Sequence, residues 1–169
     1  MPLSMYRLSV PVFQRGLSTL STYLDKAEDH EKQIGADPNE IVSARLAPDM
    51  LPLSGQFQRA TDSAKLGIGR LAGIDTPRFE DNEATIAELR ERLKKTEAFL
   101  ATISPETMEG SESREVTISP GGVKTVFRGE DYLVTFALPN FFFHVAMAHA
   151  ILRHQGVAIG KMTYLGSYT

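Results

Sequence analysis

The sequence predicts an all-α fold, a four-helix bundle with a small β-hairpin before the last helix. Three observations carry that expectation. Apolar residues recur at helical spacing in four long segments, the period changes to alternation in one short stretch between positions 105 and 129, and the connections are of mixed length, which implies a long crossover. With 169 residues, 42% of them hydrophobic, the chain is long enough for one well-buried core, and one domain spanning 1–169 is expected.

The first helix is read from Pro11 to Ile34, where Phe13, Leu17, Leu20, Leu24, Ala27 and Ile34 draw one apolar stripe and Gly35 provides a stop. "DPNE" at 37–40 has the form of a short helix start, with Asp37 as cap, Pro38 behind it and Glu40 in the first turn. Pro48 and Pro52 turn the chain before the second long helix. There Leu53, Phe57, Ala60, Ala64, Ile68 and Leu71 stay on one arc up to Gly73. After a loop, a cap at Asp81 or Asn82 introduces a third stripe of Ile86, Leu89, Leu93, Thr96, Leu100 and Ile103. "EVTIS" and "VKTVF" alternate around "PGG" and form the hairpin. "GEDYLVTFALP" reads as a short helical lead-in, bent at Pro139, to a fourth helix that ends near Gln155 and Gly156. The tail then docks through Val157, Ile159, Tyr164 and Leu165.

Composition excludes several functions. A net charge of -3 and a pI near 5.8 provide no basic face for a phosphate backbone, so nucleic acid is not an expected partner. The chain has no cysteine, which removes disulfides, thiolate metal sites and a cysteine nucleophile. The N-terminal residues show no apolar core behind a basic head, and a cytoplasmic location is expected. One apolar run, "LVTFALPNFFFHVAMAHAIL", has membrane length, yet Pro139, Asn140, His144 and His149 lie in its middle. A buried helix explains it better than a membrane span.

Three of the four histidines fall on the fourth helix, at 144, 149 and 154. Their spacing of five places them on different faces, and His144 and His154 are separated by roughly 15 Å of helix rise. One helix alone therefore cannot close a metal site from them. The same projection puts Phe143, Met147, Ala150, Ile151 and His154 on one arc, taken as the bundle interior, with His144 on its flank. Phe142, Val145, His149 and Leu152 form the opposite arc, too apolar for a solvated face, and are expected to contact a second copy in a homodimer. His149 is the histidine most easily explained as a hydrogen-bonded structural group. His144 and His154 could face a polar pocket between helices, and His30, just off the first stripe among charges, is a third candidate to line it. "GIGRLAG" has no preceding strand and the wrong spacing for a dinucleotide loop, so its small residues are read as close helix packing. No G-x-S-x-G elbow is present. Asp49, Asp62, Lys65 and Arg153 are read as caps or ion pairs, or as polar groups along a cleft.

The stretches "LDKAEDH", "LAPDMLPLSGQFQRATDSAKLGIGRLAG" and "LPNFFFHVAMAHAILRHQGVAIGKMTYLG" resemble an uncharacterised bacterial domain-of-unknown-function family related to the DinB/YfiT-like metalloenzymes. The resemblance covers nearly the whole chain. It implies an up-down-down-up bundle, frequent dimerisation and, in many relatives, a divalent metal held by one histidine from the second helix and two, four apart, from the fourth. The chain departs from that pattern: residues 53–73 contain no histidine, and only His154 is a candidate to carry over. Three functions follow as expectations. The first is binding of a small polar ligand in a pocket lined by His144, His154 and His30. The second is a divalent-metal-dependent thiol transferase, and the third is a structural dimer module.

Overall fold

The structure, a computed structural model, describes residues 3–167. Four long helices form the bundle: α1 (Met5–Ile34), α2 (Leu53–Ala72), α3 (Ile86–Ala101) and a final rod. That rod runs without interruption from α4 (Gly129–Tyr132) through a π turn (Leu133–Ala137) into α5 (Leu138–His154). Between α3 and α4 lie β1 (Glu115–Ile118) and β2 (Thr125–Arg128), an antiparallel hairpin in which Val116 faces Phe127. A one-turn α6 (Lys161–Leu165) closes the described chain.

The core stripes fall where the spacing puts them. Every expected stripe residue of α2 is fully buried, as are Phe13, Leu17, Leu20, Leu24 and Ala27 of α1, while Ile34 is exposed. Glycines in the left-handed conformation at 35 and 73 end α1 and α2, a backbone shape that costs glycine little.

Several boundaries differ from expectation. The first helix begins at Met5, because the Ser4 side chain accepts the Arg7 N–H and caps it. Pro11 lies inside it on the exposed side, where water can replace the helical bond a proline gives up. "DPNE" leads only into a 3-10 turn, Glu40–Ser43, with Asp37 Oδ1 accepting the Asn39 N–H at 2.9 Å. The cap of α3 is Thr85, in a reciprocal box with Glu88, rather than Asp81 or Asn82. Pro139 does not break the final helix. The π turn before it shifts the bonding pattern, with the Leu138 N–H reaching the Leu133 carbonyl, so the proline falls in the first turn of α5.

Pairwise contacts fix the direction of each rod. Phe13 and Tyr23 of α1 meet Phe141 and His149 of α5 in the same order, so these two run parallel. On α2, Gln56 meets His144 and Arg70 meets Tyr132, so α2 is antiparallel to the final rod. The start of α3 lies at the α1–α2 connection, where the Ile86 N–H donates to Asn39 Oδ1 at 3.1 Å. α3 therefore descends beside α2, giving up-down-down-up. The connection at 73–85 must climb the length of the bundle.

The rotation of α5 is a correction. Phe141, Val145, Ala148, Ile151 and Leu152 are buried, whereas Phe143 and His154 of the supposed interior arc are exposed. Val145 and Leu152, assigned to a dimer edge together with Phe142 and His149, lie in the core of their own chain, and Phe142 and His149 are half-buried against it. The reason is Gly16 on α1, whose bare backbone accepts the Phe141 ring and draws that side of α5 inward.

Candidate functional site

The histidines proposed to line one pocket are not brought together. His154 is exposed at the end of α5, His30 packs beside Gly156, and His144 faces α2. His149 takes a structural position: its Nδ1 lies 2.8 Å from the Tyr23 hydroxyl, and its ring meets Tyr164 edge-on. Burial, reinforced by the neighbouring Tyr164, raises the Tyr23 pKa. Burial, then Arg153, lowers that of His149. Tyr23 therefore keeps its proton, and a neutral phenol shares a hydrogen bond with a neutral imidazole.

The site with the most chemistry is the seam between α2 and α5. Gln56 is buried in the first turn of α2, and its Nε2 donates to the Leu51 carbonyl at 3.2 Å. That bond fixes the amide, so Oε1 faces His144 Nδ1 at 2.9 Å and accepts its proton. Burial and, secondarily, the Arg59 charge lower the His144 pKa to about 4, which keeps the ring neutral near pH 7. With Nδ1 carrying the hydrogen, Nε2 holds a lone pair. Nε2 has no protein partner among the described residues, and none of their buried side-chain polar atoms lacks one, so it must be in reach of solvent. Further along the seam Asn140 Nδ2 donates to Ser63 Oγ at 2.7 Å, and Arg70 Nη1 donates to the Tyr132 hydroxyl at 2.9 Å.

Asp62 and Lys65 belong to an ion-pair network centred on Arg92 of α3, which is 2% exposed. The Arg92 guanidinium reaches Thr61 Oγ1 at 2.7 Å, Asp62 at 3.0 Å, Asp81 at 3.0 Å and Glu83 at 2.9 Å. The Phe79 ring packs against both cations, with Lys65 Nζ 3.9 Å and Arg92 Cζ 5.4 Å from its centre. Asp81, Glu83 and Phe79 are on the ascending connection, so this network clamps the crossover onto α2 and α3. Its signal in the sequence is Arg92 itself, between Leu89, Leu93 and Thr96 on a stripe that should be apolar. Asp49 is exposed, and Arg153 bonds the Val157 carbonyl.

The residues do not fit a histidine-held divalent metal. Among the described residues no group of three His, Asp or Glu side chains is placed to hold an ion, and Arg59 sets a positive charge near His144. The small residues of "GIGRLAG" act differently from one another. Gly67 packs loosely near Phe13 and Ala137, while Gly69 admits Thr76 of the following loop against the helix backbone.

Gly129–His154 is long and apolar enough to cross a membrane by length and composition, and 33% of its most apolar window is buried. In the fold it packs on α1 and α2, with His144 and Asn140 hydrogen-bonded to α2.

Comparison with known proteins gives two similarities. The pattern of DUF1993, a domain of unknown function, matches residues 5–165. A DinB family member from Shewanella denitrificans, solved by crystallography at 1.83 Å resolution, is 34% identical, with a TM-score of 0.91 over 96% of this chain and 92% of its own. No curated protein matches the chain.

Proposed function

The chain belongs to the DUF1993 family, a domain of unknown function with a DinB-like fold, and from that premise we propose that it binds a small polar ligand at His144. The supporting observation is the relay from the Leu51 carbonyl through Gln56 to His144, which fixes both the ring's orientation and its tautomer. An imidazole whose Nδ1–H is held in this way offers Nε2 as a directed acceptor. A pKa of about 4 makes it a weak base, better suited to accepting a hydrogen bond from a ligand hydroxyl, thiol or amide than to storing a proton at neutral pH. A thermal-shift screen of thiols, small alcohols and small acids tests the reading. Stabilisation by a compound should disappear in His144→Phe, and equal stabilisation of both proteins, or of neither, rejects it.

A second reading concerns assembly. The outer side of α5 carries Phe143, 53% exposed, with Met147 and Ala150 half-buried on the same arc. We propose that this face, rather than the Phe142–Leu152 edge, pairs with a second copy of the chain across a two-fold axis. Sedimentation velocity at micromolar concentration should show a dimer, and a monomer alone rejects it.

A further inference from the structure

We propose that the Tyr132 end of the α2–α5 seam is a binding site for a small organic carboxylate, anchored by Arg70. The site is a cavity of about 190 Å³ between α2 and the final rod, and Arg59, Arg70, Tyr132, Phe136 and Asn140 are among its lining residues. Arg59 is already compensated, lying 3.0 Å from Asp81 and 3.6 Å from Asp62. Arg70 is not. Half-buried, it makes one bond, Nη1 to the Tyr132 hydroxyl at 2.9 Å, and no carboxylate among the described residues pairs with it.

A guanidinium carries five N–H donors in a planar fork that matches a carboxylate edge. Here the fork is partly desolvated and largely unused. Tyr132 accepts from Arg70 and so has its own hydroxyl proton to donate, while Asn140 has a second amide hydrogen beyond its bond to Ser63. Asp62 also lines the cavity, but Arg92, Lys65 and Arg59 neutralise it. One cavity is thus lined by three residues with donors to spare, and its one carboxylate is already paired. Phe136, stacked on Tyr132 with ring centres 5.8 Å apart, and Leu66 offer an apolar wall for a short hydrocarbon body. Tyr132, the partner of Arg70, stands about three helical turns along the final rod from His144, and of the rod residues lining the cavity only Asn140, at its near edge, is about one turn from that histidine.

Isothermal titration with sodium benzoate, sodium acetate and sodium phosphate tests the site. Benzoate should bind saturably, one per chain, and acetate more weakly. Arg70→Gln should weaken benzoate by about tenfold or more, the range expected when a charged hydrogen bond is lost. Arg70→Lys should weaken it as well, because an ammonium lacks the fork, and Tyr132→Phe should do so to a smaller extent. Arg90→Gln, which removes a guanidinium that pairs with Asp25 and Glu28 of α1 and does not line the cavity, should leave benzoate binding unchanged. Circular dichroism checks that each variant is folded, and the lysine and phenylalanine variants keep the test decisive if the glutamine variant does not fold. Absence of saturable binding by any probe, phosphate binding in place of benzoate, or undiminished benzoate binding in Arg70→Lys and Tyr132→Phe overturns the proposal.

Discussion

Gly16 of α1 lies directly against the ring of Phe141 of α5: a Cβ at position 16 would stand 2.6 Å from Cζ of that ring, inside any real contact. Gly16→Ala should therefore force the ring aside and destabilise the protein by about 1–3 kcal/mol, the cost of overpacking a closed core. Gly67→Ala is the control. Its Cβ would meet Phe13 and Ala137 at 3.5 Å and 3.6 Å, ordinary contacts, so the helix should gain about 0.5–1 kcal/mol from losing a flexible residue. Urea denaturation of the two variants reads opposite signs. A neutral Gly16→Ala would mean that the notch does not set the packing.

Acid sensitivity should follow from His144. In the unfolded chain the ring binds a proton near its ordinary value of 6.5, and in the folded one near about 4. Between those values the unfolded state holds more protons, so stability rises with pH. The contribution is complete above 6.5 and is lost as pH falls toward 4. Its size should be about 1–2 kcal/mol, less than full linkage because the ring is in reach of solvent. His149, also lowered by burial, acts in the same direction. Denaturation midpoints between pH 5 and 6.5 should depend less on pH in His144→Gln than in the parent, and equal slopes would refute the assignment.

Removing Arg92 should be among the costliest polar substitutions in the chain. Arg92→Ala leaves Asp62 and Glu83 without a central partner in a site where the guanidinium is 2% exposed, and breaking such a buried pair costs about 3–5 kcal/mol. Arg59→Ala, on the exposed rim of the same network, should cost less than about 1 kcal/mol. Hydrogen exchange should show the 73–85 connection losing protection in the first variant and keeping it in the second.

Phe143→Glu separates assembly from folding. The side chain is 53% exposed, so stability of the single chain should change by less than about 0.5 kcal/mol. A charge facing its own copy across a two-fold axis should shift the sedimentation coefficient to that of a monomer. An unchanged coefficient would place any self-association elsewhere.

Much of the fold was legible because local rules govern it. Stripe spacing fixed α2 to within a residue, Gly35 and Gly73 marked real ends, and alternation about Pro120–Gly122 located the hairpin. The cap of α3 is not decided locally, since Asp81, Asn82 and Thr85 are all suitable cap residues, and only the clamp by Arg59 and Arg92 shows that Asp81 is committed elsewhere. Gln56, Arg70 and Tyr132 gave no sign as site residues, because each becomes informative only opposite a partner tens of residues away.

The amino-acid order by itself determined four amphipathic or apolar helices, their stops and the hairpin between the third and fourth, since each depends on neighbours within a turn or two. Tertiary structure alone decided which side of α5 faces inward. A helix apolar nearly all round has no preferred face of its own, and the choice passed to the gap left by Gly16. That rotation turned His144 to Gln56, His149 to Tyr23 and His154 to solvent, so three histidines close in sequence have three unrelated surroundings.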